Sequence, residues 1–164
     1  MKAGDIVLVD TNVIIEGHLA SCWAALTGAY RVETVEECIV EAMTGDYDWN
    51  GTRPPESKLR VSFNAIHGVS NLELAEVKLA GGASLHPGEQ ALWAHALARN
   101  DAWILCGPDR ASMRFGYEQN QRDRLVSLGA LLQQVDFKPP KPLRSQFEQR
   151  WLQDVVTKLI LGIL

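Results

Sequence analysis

Ile6-Val7-Leu8-Val9-Asp10-Thr11-Asn12 decides how the rest of the chain is read. Four consecutive apolar residues, cut off by an acid, suit a strand buried on both faces, as in a parallel sheet. Asp10, Thr11 and Asn12 bring side-chain oxygens of the kind that cap a helix. Val13, Ile14, Leu19, Trp23 and Leu26 then recur at helical spacing, which predicts one helix stopped at Gly28.

The same alternation continues downstream. A second strand is expected near Tyr30 to Glu33, followed by Thr34-Val35-Glu36-Glu37, which matches a capping box that opens a helix carrying Glu41 and ending at Gly45. Residues 45–58 are polar and rich in Gly and Pro, so they read as a long surface loop. Leu59, Val61 and Phe63 alternate with Arg60 and Ser62, which predicts a half-exposed strand. Ser70 and Glu73 form a second capping box for a helix that stops at Gly81-Gly82. His86-Pro87-Gly88-Glu89 opens the next helix, with Pro favourable in its first turn. Trp103-Ile104-Leu105-Cys106 is a further buried strand, closed by Gly107-Pro108-Asp109, and Leu125 to Leu128 is a last strand before a short helix. Strands alternating with helices predict a three-layer α/β/α domain with a mainly parallel central sheet.

This pattern covers residues 1–136. Residues 137–144, FKPPKPLR, read as a proline-rich basic linker. Phe147, Trp151, Leu152, Val155, Val156, Leu159 and Ile160 then mark an amphipathic terminal helix, so residues 137–164 form a linker and a helix that must dock on something.

The chain has 164 residues, enough for one domain with one core. Its formal net charge of -4 is not that of a protein that coats itself in nucleic acid, but it leaves room for a nucleic-acid enzyme whose acidic site is neutralised by ions. Three cysteines, an odd number in apolar surroundings, read as reduced core residues rather than a disulfide framework. The opening residues meet charge too early for a signal peptide, and no apolar run is long enough to span a membrane. A cytoplasmic location is the expectation.

Asp10 and Asp109 each follow an apolar strand directly. In an open parallel sheet both fall at the carboxyl edge, where such folds bind ligands. Glu89, in the first turn of the helix that precedes strand 103–106, belongs at the same edge, and the helix dipole there favours an ionised carboxylate. Glu41 is the fourth candidate. It is preferred to Glu37, which the capping box already employs, with Glu36 and Glu37 as fallbacks. Clustered carboxylates repel one another unless a cation sits between them. An all-oxygen cluster suits hard ions such as Mg²⁺ or Mn²⁺, which activate water and stabilise a phosphate under attack. Each acid also has a plainer reading, as a cap, a first-turn charge, a turn residue or a solvated helix glutamate.

The sequence resembles the PIN-domain nucleases. The resemblance rests on Val7-Leu-Val-Asp10-Thr-Asn-Val-Ile14, on the acidic helix with Glu41, on Gly88-Glu89-Gln-Ala-Leu-Trp-Ala-His95, and on Ile104-Leu-Cys-Gly-Pro-Asp109, over roughly residues 5–135. It implies a Mg²⁺- or Mn²⁺-dependent endoribonuclease acting on single-stranded or structured RNA, related to the toxins of toxin–antitoxin pairs. Asp10, Glu41, Glu89 and Asp109 would surround the metal, and Thr11 or Asn12 would hold Asp10. The terminal helix is additional to the short toxin forms, and its apolar face suggests a homodimer or an antitoxin-like protein partner.

Other chemistries fit less well. His18, His67, His86 and His95 lack the spacing of a zinc motif. No GxSxG, GxGxxG or GxxxxGK[ST] is present. An aspartyl-phosphate phosphatase would want a second acid two residues after Asp10, where Asn12 stands. Arg110, Arg114, Arg122 and Arg124 are candidates for phosphate contacts, and Tyr47, Trp49 and Arg53 for contacts with unpaired bases. The main alternative to catalysis is a binding or regulatory domain of the same fold.

Overall fold

The computed structural model describes residues 1–164. Five short strands form one all-parallel sheet: β1 (Ile6–Val9), β2 (Arg31–Val35), β3 (Ala65–His67), β4 (Ile104–Cys106) and β5 (Leu125–Val126). Nine helices surround it: α1 (Thr11–Leu19), α2 (Trp23–Ala29), α3 (Glu36–Thr44), α4 (Glu56–Val61), α5 (Asn71–Leu79), α6 (Pro87–Ala98), α7 (Arg110–Glu118), α8 (Leu128–Gln134) and α9 (Gln149–Ile160). The architecture is the expected α/β arrangement with helices on both faces of the sheet.

The strand order is β3-β2-β1-β4-β5. The chain therefore winds outward from β1 through β2 to β3, then returns to the other side of β1 to build β4 and β5. The direction of winding reverses between β1 and β4, and a crevice forms at the carboxyl ends of two strands that part in this way. Val9 pairs with Cys106 at the top of that junction. The four residues of β1 are buried, as a central parallel strand requires.

Four sequence expectations are corrected. The helix predicted from Val13 to Leu26 is two helices. Ser21 adopts a left-handed conformation (φ 56°), and Trp23 folds back so that its ring fills the space beside Gly17. The Thr34–Glu37 capping box does not form. Thr34 lies within β2 and its hydroxyl donates to the Val9 carbonyl (2.7 Å), which joins the ends of β1 and β2 instead. Val35 precedes α3 without a side-chain cap, and Glu37 Oε2 is buried without a partner. Finally, the strand predicted at 59–63 is the end of α4 and the turn after it, and β3 comes later, at Ala65–His67. Leu59 and Phe63 are four apart and both buried, while Val61 is 82% exposed, so a helical face fits these residues better than alternation. Arg60 fixes the helix by bonding Glu56 one turn back and both oxygens of Glu36 on α3. The long loop accordingly ends at Pro55 rather than at residue 58.

The second capping box forms as expected, with Ser70 accepting from Glu73 N–H and Glu73 accepting from Ser70 N–H. The three cysteines are buried and unpaired. The terminal helix packs its apolar face, Leu152, Val155 and Leu159, against α7 and α8, and Phe147 is buried in the same core as the sheet. Buried Glu16 on α1 holds the segment before it, accepting from the Arg144 backbone N–H (2.7 Å) and from its guanidinium. No helix is long and apolar enough to cross a membrane.

Candidate metal centre

The four predicted acids approach one cavity by four routes: Asp10, Glu41 and Glu89 line it and Asp109 acts on it through its charge, although no three of them bring ligating oxygens within 4.8 Å of one another. Asp10 ends β1 and is the N-cap of α1, where its Oδ1 accepts from Val13 N–H (2.9 Å). Asp109 follows β4 and caps α7, its Oδ1 accepting from Ala111 N–H (2.7 Å) and Ser112 N–H (3.1 Å). Glu89 sits in the first turn of α6 and its Oε2 accepts from His86 N–H (3.1 Å). The plainer readings of these residues therefore hold: each one caps a helix. Each does so with a single oxygen. Asp10 Oδ2, Asp109 Oδ2 and Glu89 Oε1 keep no protein donor.

Glu41 differs. Its Oε1 accepts from Gly88 N–H (2.8 Å) and its Oε2 from the Thr11 hydroxyl (2.9 Å). It thus binds α3 to the start of α6 and to the start of α1. The single Thr11 hydroxyl proton is shared between Glu41 Oε2 and Cys38 O, so Thr11 orients Glu41 rather than Asp10, the acid that the family resemblance assigns to Thr11 or Asn12. Asp10 is held by the α1 backbone. The sequence favours Glu41 because a capping box employs Glu37; the structure reverses that premise, since Glu37 caps nothing and Glu41 is doubly bound, yet Glu41 is the one that lines the cavity.

Asp10, Thr11, Asn12, Glu41, Tyr47, His86 and Glu89, with Thr44 and Gly45, line a cavity of about 430 Å³. Asp109 stands at its margin, close enough for its charge to act on both Asp10 and Glu89. Burial first, and then the charges of Glu89, Asp109 and Glu41, push the Asp10 carboxyl up to about 8 against the opposing bond from Val13. Glu89 is raised to about 7, first by burial and then by Asp109. No lysine or arginine lines this cavity, so the chain leaves the repulsion largely uncompensated. Gly107 lies against Asp10, where a methyl would stand in ordinary contact with Oδ2 at 3.4 Å.

The polar residues of the long loop divide. Trp49 is buried, edge-on to His18, and Arg53 donates to the Met43 carbonyl; neither faces the cavity. Tyr47 does, from its wall. The Gly88 N–H and Thr11 contacts to Glu41 had no legible signal in the sequence, because both depend on how α1, α3 and α6 pack.

A second polar cluster lies apart from this one. Buried Glu33 on β2 accepts from Asn64 (2.9 Å) and Arg99 (2.6 Å), and its Oε2 is 2.8 Å from His67 Nε2. His67 and His95 stack at 3.9 Å between ring centres. The spacing of the histidines had hidden this grouping, in which the ligating atoms of Glu33, His67 and His95 lie within 4.8 Å of one another. Arg99 Nη1, 2.6 Å from Glu33 and 2.8 Å from His95 Nε2, already supplies a cation at its centre.

Comparison with protein-family models, with curated proteins and with solved structures finds no match to this chain.

Proposed function

We propose that this chain is a metal-dependent nuclease of the PIN-like kind, hydrolysing RNA phosphodiester bonds at the carboxylate cavity. The observation that carries the reading is the set of unclaimed oxygens on Asp10, Glu89 and Asp109 at the point where the winding of the sheet reverses, around a cavity that no lysine or arginine lines. Two buried acids, Asp10 and Glu89, that repel each other and feel the charge of half-buried Asp109 destabilise the fold unless a ligand repays the cost.

The donor set is all oxygen and rigidly held, which fits Mg²⁺ or Mn²⁺. Asp10, Glu89 and Asp109 would hold such an ion, and Glu41 would act as a positioning residue that fixes the entry to α6 and hence Glu89. When bound, the ion supplies a more acidic water and stabilises charge on the phosphoryl oxygens. The chain contributes the rest. Capping bonds fix one oxygen of each acid, so the other is aimed without further loss of side-chain freedom.

The test is cleavage of a labelled single-stranded RNA with Mn²⁺ by the wild type, Asp10→Asn and Asp109→Asn. The reading expects cleavage by the wild type and a loss of at least about a hundredfold in each variant. Cleavage that survives both substitutions unchanged overturns it.

A further inference from the structure

Beside the carboxylate cavity lies a second cleft, of about 480 Å³, lined by Ser84, Leu85, Arg110, Arg114, Phe115 and Glu118, among others. Two pairs of consecutive residues join the cavities. His86 lines the first and Leu85 the second. Asp109 acts on the acids of the first, and Arg110 lines the second.

Four arginines follow Asp109 within fifteen residues, and the structure sorts them. Arg122 pairs with Asp123. Arg124 donates to the Trp103 carbonyl and lies 4.5 Å over the Trp103 ring. Arg110 and Arg114 make no hydrogen bond or ion pair and are exposed. They stand one turn apart on α7, about 6 Å along its axis, and so share a face. Glu118 is the one acidic side chain in the cleft, which Leu164 also lines. In a chain of net charge -4, two uncommitted arginines beside the acidic centre make a local positive track.

We propose that Arg110 and Arg114 form a phosphate subsite, binding the backbone of a polynucleotide strand next to the bond that is cut. The proposal rests on the nuclease reading of the carboxylate cavity. Guanidinium groups bind phosphate oxygens through paired N–H donors, which suits register on a strand rather than recognition of a base. Their place on the helix capped by Asp109 ties the position of the neighbouring phosphate to that of the acid. Leu85 and Phe115 line the same cleft.

The test is fluorescence anisotropy of labelled single-stranded RNA and DNA over a series of NaCl concentrations, with Mn²⁺ present. The proteins are the wild type, the Arg110→Ala/Arg114→Ala double variant, the double lysine variant and Arg122→Ala. Both substituted arginines are exposed, and an unchanged melting temperature verifies folding. The double alanine variant is expected to bind about tenfold or more weakly, with the slope of log affinity against log salt reduced by about 1.4 on single strands. The lysine variant should keep most of that slope, and Arg122→Ala should match the wild type. Where cleavage is measured, KM should rise in the alanine variant more than kcat falls. An unchanged affinity and salt slope overturns the proposal, whether or not the protein cuts. Loss of the slope in a protein that binds but does not cut would support the subsite and overturn the nuclease reading instead. A wild type that binds neither strand overturns both.

Discussion

Gly88 and Glu41 are locked together. The Gly88 N–H donates to Glu41 Oε1, and the Gly88 Cα lies so close to the carboxylate that a methyl group there would sit 2.5 Å from Oε2. Alanine in place of glycine within a helix normally gains up to about 1 kcal/mol. Here it must push Glu41 away and disturb the first turn of α6. Gly88→Ala is expected to lower the melting temperature and to weaken Mn²⁺ binding by about tenfold to a hundredfold, as loss of an orienting contact does. Calorimetric titration of both proteins checks it, and an unchanged affinity would show that Glu41 has no part in positioning the site.

The metal-free protein should lose stability as pH rises. Asp10 and Glu89 are raised to about 8 and about 7, from ordinary values of 3.8 and 4.5. The folded state therefore holds more protons than the unfolded state between about pH 4 and 8, and the free energy of unfolding falls across that window. The stability they contribute in the protonated form is intact below pH 4 and gone above pH 8. Thermal melts with chelator should show this decline, and Mn²⁺ should reverse it most strongly at the alkaline end. Asp10→Asn keeps the acceptor for Val13 and removes the charge, so it should raise the metal-free melting temperature near pH 8 and abolish the response to Mn²⁺.

The Glu33 cluster should behave in the opposite sense. Burial alone would raise the Glu33 carboxyl, but bonds from His67, Arg99 and Asn64 outweigh it and hold it below its usual value. Its contribution is present above the ordinary glutamate range and is lost as pH falls through the lowered value. Glu33→Gln leaves Arg99 without its buried partner, a change that costs about 3–5 kcal/mol in such settings. Urea denaturation at neutral pH measures it. A cost below about 1 kcal/mol would mean that Asp101, which also binds Arg99, suffices to hold the arginine.

The terminal helix is part of the core in this chain. Phe147→Ala removes a buried ring and should cost about 3–5 kcal/mol by cavity formation. Guanidinium or urea unfolding followed by two spectroscopic probes should show one transition for the whole chain. A separate, early transition for α9 would show that it is held independently.

Much of this was legible before any coordinates. The IVLV run, the Pro87 start of α6 and the Ser70–Glu73 box all follow from local chemistry, and local chemistry placed Asp10, Glu89 and Asp109 at element ends. Long-range packing escaped it. Thr34 looked like a cap because the sequence does not show that Val9 O lies within reach of its hydroxyl. Leu59 to Phe63 fits both periods, and the Arg60–Glu36 contact decides between them. In the sequence only elimination points to Glu41, whereas its place is fixed by Thr11 and Gly88, which come from two other helices.

The most direct test is the anomalous difference density of a crystal soaked in Mn²⁺. The account predicts an ion in contact with Asp10 Oδ2, Glu89 Oε1 and Asp109 Oδ2, with Arg99 still bound to Glu33 and His95. Density absent from the acids, or found instead among Glu33, His67 and His95 with Arg99 displaced, would contradict it.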